Sequence, residues 1–391
     1  MSMRAVTRPL EGVLDLNDVA GGDGYLFVRD GVGIAGRGVA ARVPYDQASH
    51  VLTSIDHEGD TAGGPIAVGV LPFLPGSSVE LVIPSAVVRK RADGSAWVTL
   101  IDDAEQPIGR PPARPAAASY DIRPAVDVAH YLRAVESARD AVRTGDIVKA
   151  VIARPITVAS DHPIEVHAVL GRLRASFGSS YRFSVDGFIG ASPELLVAVE
   201  GDVIRSHPLA GTAPITGDVD NDARLASELI ASTKNQVEHR TVIEMVHDTL
   251  LPWCSYLDWE PEPSIVRVAN VQHLGSSVEG RLSNPTPNVL ELVRALSPTP
   301  AVGGHPRSRA LDLIASVEGF ERGPYGGAVG WVDASGNGTW AVAIRCAELS
   351  DDRHMARLVA GGGIVADSDP LAELAETQAK FQAMLSAIIR P

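Results

Sequence analysis

The 391-residue sequence predicts a fold that mixes β-hairpins with helices, on three observations. Up to about residue 110, short apolar runs alternate with glycine-rich turns, the pattern of strands in hairpins. From residue 126 onward, stretches with apolar residues at helical spacing intervene. Near the end, YGGAVGWVDASGNGTWAVAIRCAEL reads again as a hairpin and leads through a glycine triplet into a further helix.

Composition narrows the function classes. A hydrophobic content of 45% and a charged content of 21% are those of a globular protein. The length allows one large domain or two to three smaller ones. A net charge of −14 argues against nucleic acid or an anionic membrane surface as partner, since both need a basic face. An anionic substrate would then have to be met by a few local cations. The two cysteines, Cys254 and Cys346, lack CxxC spacing, which points to a reducing compartment and away from a disulfide scaffold or a zinc site. No apolar segment follows Arg4 and Arg8 as in a signal peptide. GPIAVGVLPFLPG, the nearest approach to a membrane span, is broken by proline and glycine. The expectation is a cytoplasmic protein.

In order along the chain, Tyr25–Val28, Ile66–Phe73, Val79–Ile83 and Ala96–Ile101 read as strands, separated by GGDG, PGSS and ADGS. PPARPAAAS (111–119) reads as an extended connector, dividing a strand-rich region, 1–115, from the remainder, 120–391. A helix is expected at 126–144, stopped by Thr144–Gly145. In DIVKAVIARPI, strand alternation puts Ile147, Lys149, Val151 and Ala153 on one face and Val148, Ala150, Ile152 and Arg154 on the other. A lysine there is either an edge residue or a desolvated one. Desolvation lowers a lysine's pKa and lets it act as a base, but the position alone favours the edge. A helical run follows at 163–176. Glu194, beginning a buried strand, is either a turn glutamate or a carboxyl whose pKa is raised, which suits a general acid.

The stretch from Asp222 to Leu251 reads as one long helix containing TKNQVEHRTVIEMVHDTL, with Lys234 and Glu238 four apart. His239 and His247 are eight apart, which does not make a zinc motif. PSIVRVANVQHLGSSVEGRL is strand-like and carries His273, and NVLELVRAL is a short helix before the loop SPTPAVGGHP. Arg345 is placed in an apolar strand, where a buried guanidinium needs an anion. The most informative stretch is AGGGIVADSDPLAELAETQAK, 360–380. Its glycines read as a turn after the strand-like run Leu358–Ala360, Asp369 as an N-cap and Pro370 as the first helical residue. Glu373, Glu376 and Lys380 then share one helix face, where two carboxylates and an ammonium could hold a divalent cation and an anionic ligand together. Taken alone, Glu376 and Lys380 are simply a solvated pair of about 0.3–0.5 kcal/mol. GxGxxG, P-loop and GxSxG motifs are absent, as are internal repeats and low-complexity tracts.

Over about 125–386, GDIVKAVIAR, ASPELL, PLAGT, KNQVEH, VQHL, PTPAVGG, YGGAVGW, AIRC, AGGGIV and DPLAELAETQAK together resemble the chorismate-utilising enzymes, the family of isochorismate, salicylate, anthranilate and aminodeoxychorismate synthases. The resemblance implies an α+β fold of the anthranilate synthase component I kind, with two large antiparallel sheets packed face to face and helices outside. The 1–115 region would complete the sheets, and 120–391 would be the chorismate-binding catalytic region. It implies Mg2+ as cofactor, held by Glu238 and Glu376 with Glu373 in or beside that shell. Arg345 and Lys380 would meet the anionic groups of chorismate, with Tyr325 and the backbone at Gly361 and Gly362 beside them. Gly211, Thr212 and His273 would line the ring. Lys149 matches the residue that activates water for attack at C2, and Glu194 the acid that protonates the departing C4 hydroxyl.

Members of the family that use ammonia carry glutamine at the position of Lys149, so lysine favours water as nucleophile. The LLES tryptophan-binding signature is absent, and SPTPAVGG resembles the isochorismate synthase form of its loop. His305 and Asn235 depart from the family pattern. The implied activity is Mg2+-dependent, reversible conversion of chorismate to isochorismate, for menaquinone or siderophore biosynthesis, by a monomer without an amidotransferase subunit. Salicylate synthase is the first alternative, and an aminodeoxychorismate or anthranilate synthase component is the next. A catalytically inactive chorismate-binding protein is disfavoured because Lys149, Glu194, Glu238 and Glu376 are all retained.

Overall fold

The structure, a computed structural model, describes residues 3–12, 14–74, 78–112, 118–268 and 271–390. The middle of the expected 111–119 connector, the boundary at 115, most of the PGSS turn and the side chain of Lys234 lie outside the described residues.

Two large sheets make up an α+β fold. The first runs, in spatial order, through Tyr120–Pro124, Lys149–Ser160, Met355–Ile364, Cys346–Leu349, Phe188–Ser192, Tyr181–Val185, Tyr25–Arg29, Val32–Arg37, Ala86–Lys90, Ala96–Ile101, Arg4–Pro9 and Asp56–Gly59. The short strand Gly304–His305 joins it at Lys149–Ala150. The second runs through Cys254–Trp259, Val278–Leu282, Val203–His207, Leu195–Glu200, Gly338–Val342, Ala328–Asp333, Ile66–Leu71, Glu80–Ile83 and Ala41–Pro44. Both are antiparallel apart from the parallel pairing of Arg4–Pro9 with Asp56–Gly59. Strands from either side of the 111–119 connector are interleaved. Tyr25–Arg29 pairs with Tyr181–Val185, and Ile66–Leu71 with Ala328–Asp333.

Alternation along the strands explains the layering. Tyr25, Phe27 and Phe183 of the first sheet meet Ile66, Val68, Val329 and Trp331 of the second in one apolar layer between the sheets. Leu26 and Val28 point to the opposite face, onto the helices Leu16–Ala20, Val166–Phe177 and Pro370–Ile389. A strand buried on both faces needs the unbroken apolar run seen in YLFV, and each such side chain contributes roughly 1.5–3 kcal/mol. The outer face of the second sheet is covered by Ala48–Ser54, Thr233–Leu250 and Val289–Leu296. No helix among the described residues is long and apolar enough to cross a membrane.

The expected single helix from Asp222 to Leu251 is in fact two, Val219–Ala231 and Thr233–Leu250. Ser232 between them is extended (φ −71°, ψ 109°), and its hydroxyl accepts from the Asn235 N–H at 3.3 Å. A serine that satisfies an orphan N–H of the following helix is a better N-cap than an interior residue, so the chain restarts there. The helix Pro370–Ile389 begins as its sequence reads, with Asp369 accepting from the Ala372 N–H at 2.9 Å. A small third sheet, Leu209–Pro214, Val271–Gly275 and Ser264–Val268, packs through Ala213 and Leu274 on Leu229 of the helix Val219–Ala231.

The chain changes layer twice at one place. Pro193 and Glu194 carry it from Phe188–Ser192 in the first sheet to Leu195–Glu200 in the second. Ala343 to Arg345 bring it back, from Gly338–Val342 to Cys346–Leu349. The crossings are bonded to each other: Val342 N donates to Glu194 O at 3.1 Å, and Ala191 N to Arg345 O at 3.0 Å. Arg345 therefore stands at a corner with φ 53°, not inside a strand as the sequence suggests. The apolar residues on both sides of it belong to two different strands.

Candidate active site

A cavity of about 220 Å³ opens beside the two crossings. Its lining comes from widely separated parts of the chain. Strand Lys149–Ser160 supplies Lys149, the first crossing Glu194, and the second Arg345. The small third sheet supplies Gly211, Thr212 and His273. Helix Thr233–Leu250 supplies Asn235 and Glu238. Helix Pro370–Ile389 supplies Glu373, Glu376 and Lys380. Tyr325, Gly361 and Gly363 complete this wall. Lys149, Glu194, Gly211, Thr212, Glu238, His273, Tyr325, Arg345, Gly361, Glu373, Glu376 and Lys380 thus line one cavity, although their positions span more than half the sequence, while Gly362 and His305 are not among its lining residues.

Lys149 is internal to its sheet and not at an edge. It pairs with His305 on one side, and its side chain is 9% exposed. The alternation read from the sequence explains its direction: Lys149 and Val151 face the cavity, while Ala150 and Ile152 pack on Tyr131 and Val135 of the helix Val128–Arg143. Lys149 Nζ lies 2.6 Å from Glu238 Oε1. Burial opposes charge on Glu238, but the Lys149 ammonium, with Lys380 behind it, outweighs this and holds the carboxyl below its usual range.

The glycine triplet is not a turn. Gly361, Gly362 and Gly363 lie inside the strand Met355–Ile364, opposite Ala153, Ile152 and Val151. A Cβ at two of them would press on side chains of the cavity. A Cβ on Gly363 would stand 2.6 Å from Lys149 Cε, and one on Gly362 would stand 2.5 Å from Glu373 Oε2. Lys380 Nζ donates to Gly361 O at 2.8 Å and pairs with Glu376 Oε1 at 2.5 Å. Burial opposes ionisation of Glu376, and the charges of Lys380 and, behind it, Arg345 pull its pKa below the usual value. Glu373 Oε1 accepts from Ser368 Oγ at 2.8 Å. The simple surface pair is therefore not what Glu376 and Lys380 form: the lysine side chain is 12% exposed and tied to a sheet.

Glu194 is 3% exposed. Burial pushes its carboxyl up to about 8, against the pull of the Leu209 N–H, Lys149 and Arg345. It is a protonated acid at neutral pH. His273 is held down to about 3 by burial and by the neighbouring charges of Arg345 and Lys380, so it is neutral. Arg345 Nη2 points at His273 Nε2 from 3.5 Å, which makes Nε2 the acceptor; Nδ1 then carries the proton and donates to Gly211 O at 3.2 Å. Arg345 is 9% exposed and, among the described residues, forms no ion pair. Burying a guanidinium without a bonded counter-charge is costly, so this end of the cavity favours an anionic ligand. Burial also pushes the Tyr325 hydroxyl up to about 12.

Among the described residues no three acidic, histidine or cysteine side chains form a ready-made metal cage. The carboxylates of Glu238 and Glu376 instead face Lys149 and Lys380. An all-carboxylate donor set fits Mg2+, which takes oxygen ligands, keeps several waters and is usually held by one or two carboxylates plus the substrate.

With the geometry in hand, comparison with known proteins is decisive. The family model described as "Chorismate binding enzyme" matches residues 81–389. The chain belongs to the chorismate binding enzyme family. The isochorismate synthase DhbC of Bacillus subtilis is 37% identical over 335 residues, covering 83% of this chain and 81% of that protein. The isochorismate synthase EntC of Escherichia coli is 34% identical over 349 residues, covering 88% and 86%. Among solved structures, MenF, the menaquinone-specific isochorismate synthase from Escherichia coli, superposes with a TM-score of 0.87 at 26% identity, over 100% of this chain and 95% of that one. Anthranilate synthase component I from Streptococcus pneumoniae shares the fold, with a TM-score of 0.72 at 23% identity.

The sequence reading of this chorismate binding enzyme missed the apolar wall, Val151, Leu209, Val302 and Ile344, because nothing marks these residues among many like them. It also missed Glu318 and Arg322. Their signal was present: an i, i+4 acid–base pair between apolar segments, VEGFERG.

Proposed function

We propose that the protein is an isochorismate synthase, converting chorismate to isochorismate by addition of water at C2 and loss of the C4 hydroxyl. The observation that carries the reading is the pairing, on one cavity, of a buried lysine with a buried carboxyl that holds its proton at neutral pH. Charge supports the same substrate class. The cavity holds three cations, Lys149, Arg345 and Lys380, against three carboxylates, Glu238, Glu373 and Glu376. Adding a dianion together with a divalent cation keeps that balance.

In this reading Arg345 and Lys380 bind the substrate's anionic groups, and Tyr325 and the Gly361–Gly362 backbone lie beside them. Gly211, Thr212 and His273 flank the ring. Lys149, after releasing its resting proton to solvent, takes a proton from the attacking water as the oxygen bonds to C2. Both ring double bonds shift along the path from C2 through C1, C6 and C5 to C4, the C4–O bond breaks, and Glu194 gives its proton to the departing oxygen, which leaves as water. Such protonation contributes about 10²–10⁴-fold. Glu238 and Glu376, with Glu373 beside them, would hold Mg2+, which when bound stabilises charge on the ring carboxylate. We also propose that the protein acts in the cytoplasm as a monomer without an amidotransferase subunit. Residues 120–391 would form the catalytic region and 1–115 the part that completes the sheets. The product would serve menaquinone or siderophore synthesis.

The test is product analysis with purified protein and chorismate, with and without Mg2+. Isochorismate in equilibrium with chorismate, only with Mg2+, is expected. Salicylate with pyruvate would make it a salicylate synthase, and a requirement for ammonia or a glutaminase would make it an aminodeoxychorismate or anthranilate synthase component. No turnover under any condition would leave a chorismate-binding protein. Glu376→Gln is expected to raise the Mg2+ concentration for half-maximal rate about tenfold or more, by analogy with losses measured when metal-site carboxylates are altered; an unchanged titration would remove Glu376 from the ligand set.

A further inference from the structure

Strand Lys149–Ser160 is paired along one side by Met355–Ile364. Its other side is covered in two pieces only, by Gly304–His305 at Lys149–Ala150 and by Tyr120–Pro124 at Ile156–Ser160. Between these pieces no strand pairs with it among the described residues, yet the backbone there is buried and must be satisfied. At its two ends the Val151 N–H donates to Gly303 O at 2.9 Å and the Ala125 N–H to Pro155 O at 3.1 Å, and between them two side chains do so. Arg322 Nη2 donates to Val151 O at 2.6 Å, and Glu318 Oε1 accepts from the Ala153 N–H at 2.7 Å. Arg322 and Glu318 also hold each other, Nη2 to Oε1 at 2.5 Å and Nε to Oε2 at 2.8 Å, and both side chains are 2% exposed.

The same guanidinium reaches two further walls of the cavity. Nη1 donates to Val302 O at 2.7 Å, and the guanidinium carbon lies 5.8 Å from the centre of the Tyr325 ring. Phe73 stacks beneath the guanidinium at 4.2 Å. Stability alone does not call for such a pair, because well-packed apolar residues of similar volume commonly do as well or better. What an apolar pair cannot do is bond to Val151, Ala153 and Val302 at once.

We propose that Glu318 and Arg322 are a positioning pair for the reaction, standing in for a missing length of strand and fixing Lys149, Val302 and Tyr325 relative to one another. The proposal rests on the isochorismate synthase reading. A displacement of about 1 Å at a reacting group costs on the order of a hundredfold in rate. In Arg322→Lys, a single ammonium cannot span both carbonyls and both Glu318 oxygens. The variant is expected to lose about 10–100-fold in kcat. KM for chorismate should change less than about threefold, because Arg345 and Lys380 are untouched and only positioning is lost. Glu318→Asp keeps the charge, shortens its reach and should show the same split.

Thermal unfolding of both variants is measured beside the kinetics. A folded variant with wild-type kcat, or with a loss confined to KM, overturns the proposal and leaves the isochorismate synthase reading intact. Failure of both variants to fold overturns it too, by making the pair a stability element. Wild-type protein that makes no isochorismate overturns the reading itself and the pair's role with it.

Discussion

Lys149→Ala is expected to lower kcat for chorismate hydration by about 10²–10⁴-fold, the usual contribution of a positioned base. Chorismate binding should be nearly unchanged, since Arg345 and Lys380 remain. The Mg2+ titration is the second readout. Lys149 lies 2.6 Å from Glu238, so its removal leaves that carboxylate without its ammonium neighbour. Half-saturation by Mg2+ should therefore fall or stay constant, the opposite of Glu376→Gln. Turnover retained in Lys149→Ala would exclude Lys149 as the base. Loss of binding in step with loss of rate would make it a substrate contact instead.

Glu194→Gln should lower kcat by a similar factor, about 10²–10⁴-fold, and change the pH profile in shape as well as height. The wild-type acid must carry its proton, and burial places its pKa at about 8. The rate should therefore be flat below that value and fall as pH rises through it, tenfold per unit once Glu194 ionises. Glutamine cannot titrate, so this alkaline limb should vanish from the residual activity. Wild-type stability falls over a pH range that overlaps this one. A carboxyl whose folded pKa is raised costs stability as pH rises from its ordinary value, 4.5, through about 8, because the folded state then keeps a proton that the unfolded state releases. Glutamine is neutral in both states, so Glu194→Gln should melt at a higher temperature than wild type at pH 8. A variant that keeps the alkaline limb would assign that limb to another group.

The parts of the molecule that were legible beforehand are those fixed by local chemistry. Asp369 and Pro370 announce a helix start, and the alternation in KAVIAR announces which side chains share a face. What escaped is set by partners distant in sequence. Nothing near Lys149 says that His305 will cover its flank, so a lysine in an apolar run looks like an edge. Nothing in AGGGIV says that Glu373 and Lys149 will press against the backbone there, so three glycines look like a turn. Ser232 could have been read, since it stands as an N-cap before a new helix. The mixed composition of NDARLASELIASTKNQ hides the break, because apolar and polar residues alternate through it without a visible interruption. The candidate site itself became visible only as a set of motifs in order; no single residue carried it.

The two layer changes have a consequence for how substitutions spread. Glu194 and Arg345 belong to neither sheet. Each sits at a corner whose two arms are anchored in different layers, and the corners are bonded to each other. Their spacing is therefore a gauge of the interlayer gap. Phe183 and Trp331, buried between the sheets and not among the residues that line the cavity, set that gap. Remodelling them would tilt an acid and a cation against the same ring while both sheets persist, so turnover should erode before the sandwich comes apart.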